Sequence, residues 1–300
     1  MATMVRYGCD RVLFGASAPL GLLAPRLRSA GARELVALTH GHEVWWAALP
    51  GTRHLLRRIG DSVDELTYVS EYCRERIAPA LSAAAAARMR RLTPTVDTAR
   101  FRPGAGRDVV RVRWGIPSQA PVVVCLSRFV RRKGQDTLVR IWPEVLARFP
   151  DAVLLLVGDG PDRGRVERMV DRRGLGGSVV FTGEVPDEEV AAHLDAGDVF
   201  AMPSRSRWFG LEVEAFGIVY LEAAACGLRV VAGRSGGVRE ALGEAGRLEP
   251  SGSGAARVRG QRAVERRAGV GEELGHDTPE RPEDDDEERG DRGREQAVLH

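Results

Sequence analysis

The order of apolar runs along the chain predicts an α/β protein made of two Rossmann-like domains. Three observations carry that prediction. Short Val-rich runs alternate with segments of helical periodicity, the pattern of right-handed βαβ units feeding a parallel sheet. The runs are nearly continuous in Val and Leu, as expected of strands covered on both faces. Glycine turns such as Gly158-Asp-Gly160 and Gly236-Gly237 follow the runs, where a doubly wound sheet needs its loops.

In chain order, the first unit contains three strand-like runs, Arg11–Gly15, Leu35–Gly41 and Leu66–Ser70, with a helix expected over Leu20–Ala30. A full Rossmann-like domain has roughly five or six strands, so this unit, residues 1–104, reads as partial at its N-terminus. Pro94, Pro103 and the Arg102–Asp108 stretch read as a linker. The second unit, residues 105–250, carries strands at Val122–Ser127, Val153–Gly158, Val179–Gly183, Asp198–Ser204 and Arg229–Gly233. Helical periodicity falls near 135–148, 161–173, 187–195 and 214–226. Residues 251–300 lack Phe, Trp, Tyr, Ile, Met and Cys and include the acidic block Glu283–Glu288. Such a tail cannot bury enough apolar surface to offset its ordering entropy, so it is expected to be disordered, and it reads as coding in a shifted frame, with an interaction tail as the alternative.

Composition narrows the function classes. The chain has 300 residues, 43% apolar and 29% charged, the proportions of a globular protein. No apolar run is long enough to cross a membrane, and the start lacks the pattern of a secretory signal. A net charge of +2 argues against a nucleic-acid partner, which calls for a strongly basic face. Cys9, Cys73, Cys125 and Cys226 never form a C-x-x-C pair, so neither a zinc knuckle nor a disulfide framework is expected, and a reducing cytoplasm fits. Cys125 and Cys226 sit in apolar runs and read as small core residues. Of 44 basic residues only Lys133 is a lysine. Two readings stand for it: chance in an arginine-rich chain, or, given its place just after a strand, a position where a compact ammonium charge is required in place of a planar guanidinium.

Three groups of residues suggest chemistry. Ser127-Arg128 through Arg132-Lys133-Gly134 follows the first strand of the second unit, and open parallel sheets bind ligands beyond the carboxyl ends of their strands. Arg128 offers a fork for phosphate oxygens and Lys133 a point charge. In Glu214-Ala-Phe-Gly-Ile-Val-Tyr-Leu-Glu222, a helix starting near Gly217 would offer the amides of Gly217, Ile218 and Val219 as an anion site. Glu214 and Glu222 would flank that site, each able to accept from vicinal hydroxyls; taken singly, each is more simply a helix-end or solvent-facing carboxylate. Gly183-Glu-Val-Pro-Asp187 could edge a base through the backbone of Val185.

Together, S-R-x4-K-G, V-G-D-G-P, F-T-G-x-V and E-A-F-G-x4-E, in this order, resemble the retaining GT-B glycosyltransferases over about residues 8–248. The resemblance implies a nucleotide-sugar donor bound without a metal or other cofactor. It places Arg128 and Lys133 on the diphosphate, Glu214 on the donor sugar, Glu222 on the ribose and Val185 on the base. The runs Phe14–Pro25 and Thr39-His-Gly-His-Glu-Val-Trp-Trp46 are similar to actinobacterial mannosyltransferases that extend phosphatidylinositol mannosides. That similarity implies GDP-mannose as donor, an anionic phosphoinositide-mannoside lipid as acceptor, and work at the inner face of the plasma membrane. It puts His40 against the donor sugar, with His42 as the rival. Front-face displacement with retention follows from the resemblance, since no pair of carboxylates at glycosidase spacing is evident.

The stretch Trp45–Gly60, with Trp45, Trp46, Arg53, Arg57 and Arg58, has helical spacing. It could lie in a membrane interface or pack its apolar side into the first unit. Two function classes remain: a membrane-peripheral mannosyltransferase, and a non-catalytic protein that at most binds a nucleotide sugar. A glycosyltransferase with another nucleotide sugar and acceptor is excluded only by the resemblance.

Overall fold

The computed structural model describes residues 6–245; the segment 251–300, expected to be disordered, lies outside them. Two all-parallel sheets organise the described residues. The first has strands β1 (Arg11–Phe14), β2 (Glu34–Ala37), β3 (Glu65–Tyr68) and β4 (Met89–Arg91), in the order β1-β2-β3-β4. The second has β5 (Val122–Leu126), β6 (Val153–Val157), β7 (Val179–Gly183), β8 (Val199–Met202) and β9 (Arg229–Ala232), in the order β7-β6-β5-β8-β9. From β5 the chain winds outward through β6 and β7, then returns to the other side through β8 and β9. Val123 of β5 therefore pairs with Leu154 on one side and Val199 on the other. That reversal opens a crevice at the carboxyl end of β5, where doubly wound sheets bind ligands.

The apolar pattern is used as the sequence expects. All five residues of β6 are buried, because helices cover both faces of this sheet. Its core gathers Leu154, Leu155 and Leu156 with Phe200, Tyr220 and Trp142, whose indole N–H donates to Ser178 Oγ at 3.1 Å. A separate core holds the first sheet around Leu35, Leu56, Leu66 and Ile77, and Phe216 and Leu221 from the second half of the chain pack into it. Cys125 and Cys226 are buried, and burial pushes both thiols up to about 12, which leaves them uncharged core residues.

Several expected boundaries move. The run Leu35–Gly41 is a strand only to Ala37, and Thr39–Gly41 is loop. The expected helix Leu20–Ala30 divides into a 3₁₀ turn, Leu20–Leu23, and a helix, Ala24–Ser29, with Pro25 in its first turn. Instead of covering 214–226, the helix after β8 is Ile218–Ala225, and residues 214–217 form the turn before it. The linker is firmly held. The amides of Gly104, Gly106 and Arg107 all donate to the Asp195 carboxylate at 2.9–3.0 Å. Buried Arg111 donates to Ala196 O and Asp198 Oδ2, both at 3.0 Å.

The stretch Trp45–Gly60 is two helices, Glu43–Ala48 and Pro50–Ser62, broken where Pro50 opens the second. Leu56, Ile59 and Gly60 are buried and Trp46 packs against the first core, while Arg53, Arg57 and Arg58 are exposed. Core packing therefore accounts for Leu56, Ile59 and Trp46, while Leu49 and Leu55 remain exposed beside the arginines.

Candidate active site

The crevice beyond β5 is built from two turns that the sheet brings together. The first runs from Ser127 to Gly134, with a 3₁₀ turn over Arg131–Lys133. Ser127 N donates to Val157 O at 3.0 Å and Phe129 N to Asp159 O at 2.8 Å, which ties this turn to the one after β6. Gly158, at φ +124°, is needed there, since a Cβ would collide with the Ser127 carbonyl. The second turn is Glu214–Gly217. Gly237 N donates to Glu214 O at 2.9 Å, and Glu214 N donates to Ser235 Oγ at 3.1 Å, so its backbone is fixed from below.

These turns deliver Lys133 and Glu214 to each other across 81 residues of sequence. Lys133 Nζ donates to Glu214 Oε2 at 2.5 Å, and Arg132 Nη1 donates to the same oxygen at 2.8 Å. Glu214 and Lys133 are largely buried, with side chains 10% and 12% exposed. Arg132 also stands 3.8 Å from Glu212, which pairs with Arg207 at 3.1 Å. Arg128, on the same turn as Lys133, is exposed and has no ion-pair partner among the described residues. Arg132, Lys133 and Arg207 against Glu212 and Glu214 leave one positive charge in this network, which suits an anion.

The helix Ile218–Ala225 adds to this field. Gly217 is its N-cap at φ +83°, and the amides at the start of a helix have no intrahelical acceptor. Gly217, Ile218 and Val219 therefore present N–H groups and the positive end of the helix dipole beside Glu214. Tyr220 is buried beneath, its hydroxyl donating to Met202 O at 2.8 Å and meeting Ser204 Oγ at 2.9 Å. Burial pushes its pKa well above the ordinary phenol value, so the hydroxyl stays neutral.

Arg128 and Val185 are brought together. Both line a cleft of about 420 Å³ with Gly158, Gly160, Glu184 and Val190. Glu222, one helical turn further on, is half-buried. Burial raises its carboxyl above the usual range; Arg100 opposes that shift and Asp187 adds to it. Arg100 and Asp187 pair at 2.7 Å. A larger hollow, about 570 Å³, lies on the first half against Arg28, Asp61, Asp64 and Arg88. Arg28 there is paired with Asp64 at 2.8 Å, so the hollow offers no comparable cation cluster.

The two histidines sit on the loop after β2. His40 Nε2 lies 2.6 Å from Gly15 O and His42 Nε2 lies 2.9 Å from Ala18 O. Buried Glu43 shapes this loop, accepting from His40 N at 3.1 Å, Gly41 N at 3.2 Å and Ser17 Oγ at 2.7 Å. The loop touches the Glu214 turn directly: a Cβ on Gly41 would collide with Ala215 Cβ. His40, exposed and next to Gly41, thus stands on the loop that meets the Glu214 turn.

Sequence reasoning gave Arg132 no role and missed Ser70 and Glu240. Ser70 Oγ donates to Ala215 O at 2.7 Å. Glu240 accepts from the amides of Glu71 and Tyr72 at 2.8 and 3.0 Å, capping the helix Glu71–Ile77 from the far end of the chain. Both partners lie more than a hundred residues away, so no local pattern could reveal them. Among the described residues no group of three or more His, Cys, Asp or Glu could hold a metal ion.

Comparison with known proteins agrees with this arrangement. Residues 106–258 match the family model for glycosyl transferases group 1. The chain is 53% identical over 237 residues to a GDP-mannose-dependent alpha-(1-6)-phosphatidylinositol monomannoside mannosyltransferase of Mycolicibacterium smegmatis, covering 79% of this chain and 61% of that protein. It is 44% identical over 256 residues to the corresponding enzyme, named for a monoacylated acceptor, of Corynebacterium glutamicum, covering 84% and 66%. The chain thus spans less than two thirds of the length of these relatives. Among solved structures, sucrose-phosphate synthase from Thermosynechococcus elongatus superposes with a TM-score of 0.66 at 24% identity, covering 88% of this chain and 70% of that one. Anabaena HepE in complex with UDP gives 0.64 at 20% identity, covering 80% and 64%. The fold is GT-B, and because the family model spans more than half of its residues, the chain belongs to the glycosyl transferases group 1 family.

Proposed function

We propose that this chain acts in a retaining mannosyltransferase that moves mannose from GDP-mannose to a phosphatidylinositol mannoside lipid, working peripherally at the inner face of the plasma membrane. Residues 105–250 form its donor domain and residues 1–104 its acceptor side. The observation that carries the reading is the convergence of Arg132 and Lys133 on Glu214 beside the helix N-terminus at Gly217. The names of the relatives supply the identity of donor and acceptor.

As the bond from the anomeric carbon to the diphosphate breaks, charge accumulates on the departing phosphate. Arg128, Lys133 and the amides of Gly217, Ile218 and Val219 stabilise that charge, each contributing most when it is fully developed. Lys133 is preorganised by Glu214, so little reorganisation is required when the phosphate leaves. Glu214 accepts from hydroxyls of the donor sugar, Glu222 from the ribose, and the backbone of Val185 meets the base. His40 lies against the sugar. The acceptor hydroxyl attacks the face from which the phosphate departs, which then takes its proton. No metal is part of this scheme.

Calorimetric titration of the chain with GDP-mannose, GDP and UDP-glucose, without added metal, tests it. Guanine-selective binding that Lys133→Ala removes is expected. Equal binding by the variant refutes the assignment of Lys133, and no binding of any nucleotide refutes the donor site. A second assay, transfer of mannose to a phosphatidylinositol mannoside, separates enzyme from binder: nucleotide binding without transfer leaves a nucleotide-sugar binding protein.

A further inference from the structure

Between β8 and the Glu214 turn the chain makes a small hairpin. Arg207 N donates to Glu212 O at 2.9 Å, Glu212 N returns to Arg207 O at 3.2 Å, and the two side chains pair at 3.1 Å. At its tip stand Trp208 and Phe209, 68% and 109% exposed. Both have positive φ, +53° and +55°, a conformation rare for bulky side chains. The hairpin therefore holds its two aromatic rings outward against both the hydrophobic effect and the backbone preference. Such an arrangement persists where the surroundings impose it, and it points to a ligand met at the surface.

The charges beside the tip indicate what that ligand is. Ser206 Oγ lies 3.2 Å from Ser235 Oγ, which brings the neighbouring Arg234 alongside the hairpin. On the other flank a Cβ at Gly210 would lie 3.7 Å from the Tyr72 hydroxyl, and the Arg76 guanidinium stacks 3.6 Å from the Tyr72 ring centre. Arg76 and Arg234 are both exposed and have no ion-pair partner among the described residues. Two exposed aromatic side chains flanked by exposed guanidinium groups suit an interfacial anchor: the rings favour the boundary between headgroups and chains, and the cations favour anionic headgroups.

We propose that the Trp208–Phe209 tip inserts into the headgroup region of an anionic lipid bilayer, with Arg76 and Arg234 on the phosphates. The proposal deepens the reading of a lipid acceptor and rests on it for its purpose. The hairpin ends two residues before Glu214, so docking there brings the mouth of the donor site to the membrane surface. Leu56, Ile59 and Gly60 of the helix Pro50–Ser62 are packed inward, whereas both rings of the tip face outward.

Partitioning of the full chain onto phosphatidylcholine vesicles, with and without phosphatidylinositol, tests this in the absence of nucleotide. Trp208→Ser/Phe209→Ser should weaken binding by about tenfold or more, the consequence of withdrawing two rings from the interface. Arg76→Ala/Arg234→Ala should abolish the preference for phosphatidylinositol and leave residual binding to the neutral vesicles. Brominated lipid chains should quench tryptophan emission in the parent, and Trp208→Phe, a conservative change, should lose that quenching. Unchanged partitioning of the Ser/Ser variant, or equal quenching in Trp208→Phe, overturns the proposal and leaves a protein partner as the occupant. Titration with GDP-mannose on the same samples reports the donor site separately, so loss of one reading is not mistaken for loss of the other.

Discussion

Lys133→Ala and Glu214→Ala remove the two ends of one ion pair, yet the structure assigns them different effects on stability. Glu214 accepts from both Lys133 and Arg132, so losing Lys133 leaves the carboxylate paired at 2.8 Å. Losing Glu214 is a different event. Arg132 keeps Glu212 at 3.8 Å, but Lys133, with a side chain only 12% exposed, has no other carboxylate within ion-pair distance among the described residues. Removing one member of a buried pair and stranding the other costs about 3–5 kcal/mol. We therefore expect Glu214→Ala to lower the unfolding free energy by about 3 kcal/mol, against about 1 kcal/mol for Lys133→Ala, whose partner keeps a charge-assisted hydrogen bond. Urea unfolding followed by circular dichroism measures both, and the double variant closes the cycle. Adding Lys133→Ala to Glu214→Ala should recover part of the loss, because the stranded ammonium is gone, giving a coupling of about 1–2 kcal/mol. Equal losses for the two single variants, or simple additivity, would refute the reasoning that Glu214 is the hub.

Two further outcomes concern titration. Burial raises the Glu222 carboxyl, so its ionised form costs stability above the ordinary glutamate range, and that cost grows as pH rises through the raised value; Glu222→Gln should melt higher than the parent near neutrality and converge with it in acid, while binding nucleotide more weakly. Asp136 is buried, which alone would raise it, but the Arg205 fork at 2.8 and 3.0 Å and Arg165 at 3.3 Å hold it below the usual carboxylate range. Its stabilisation is present above the unfolded value and lost as pH falls through the depressed one; Asp136→Asn should cost about 3 kcal/mol at neutral pH and the difference should shrink in acid melts.

The second sheet was legible because its strands are runs of Val and Leu that no other arrangement would bury. β4, Met89-Arg-Arg91, escaped notice for the opposite reason: it is a short edge strand with little apolar content, held by pairing with Leu66–Tyr68. The candidate site residues stood out because strand ends and a glycine N-cap place Lys133, Glu214 and Gly217 by local geometry. Arg132 was written in the same turn, but its role depends on which side chain turns toward Glu214, which sequence periodicity does not encode. Trp208 and Phe209 carried no signal in the sequence, because their exposure depends on the turn conformation that the Arg207–Glu212 pairing fixes.

The contact between Gly41 and Ala215 implies a shared allowance of size. The two positions lie in different halves of the chain, yet together they have room for a single methyl group, which Ala215 already occupies. A library randomised at both should therefore be depleted of every pair in which position 41 carries a side chain, even when position 215 is reduced to glycine, because the loop at 41 also runs at φ +103°. Enlarging position 215 instead would drive the loop bearing His40 away from the turn bearing Glu214. Variation in one half of the molecule is in this way limited by a residue in the other.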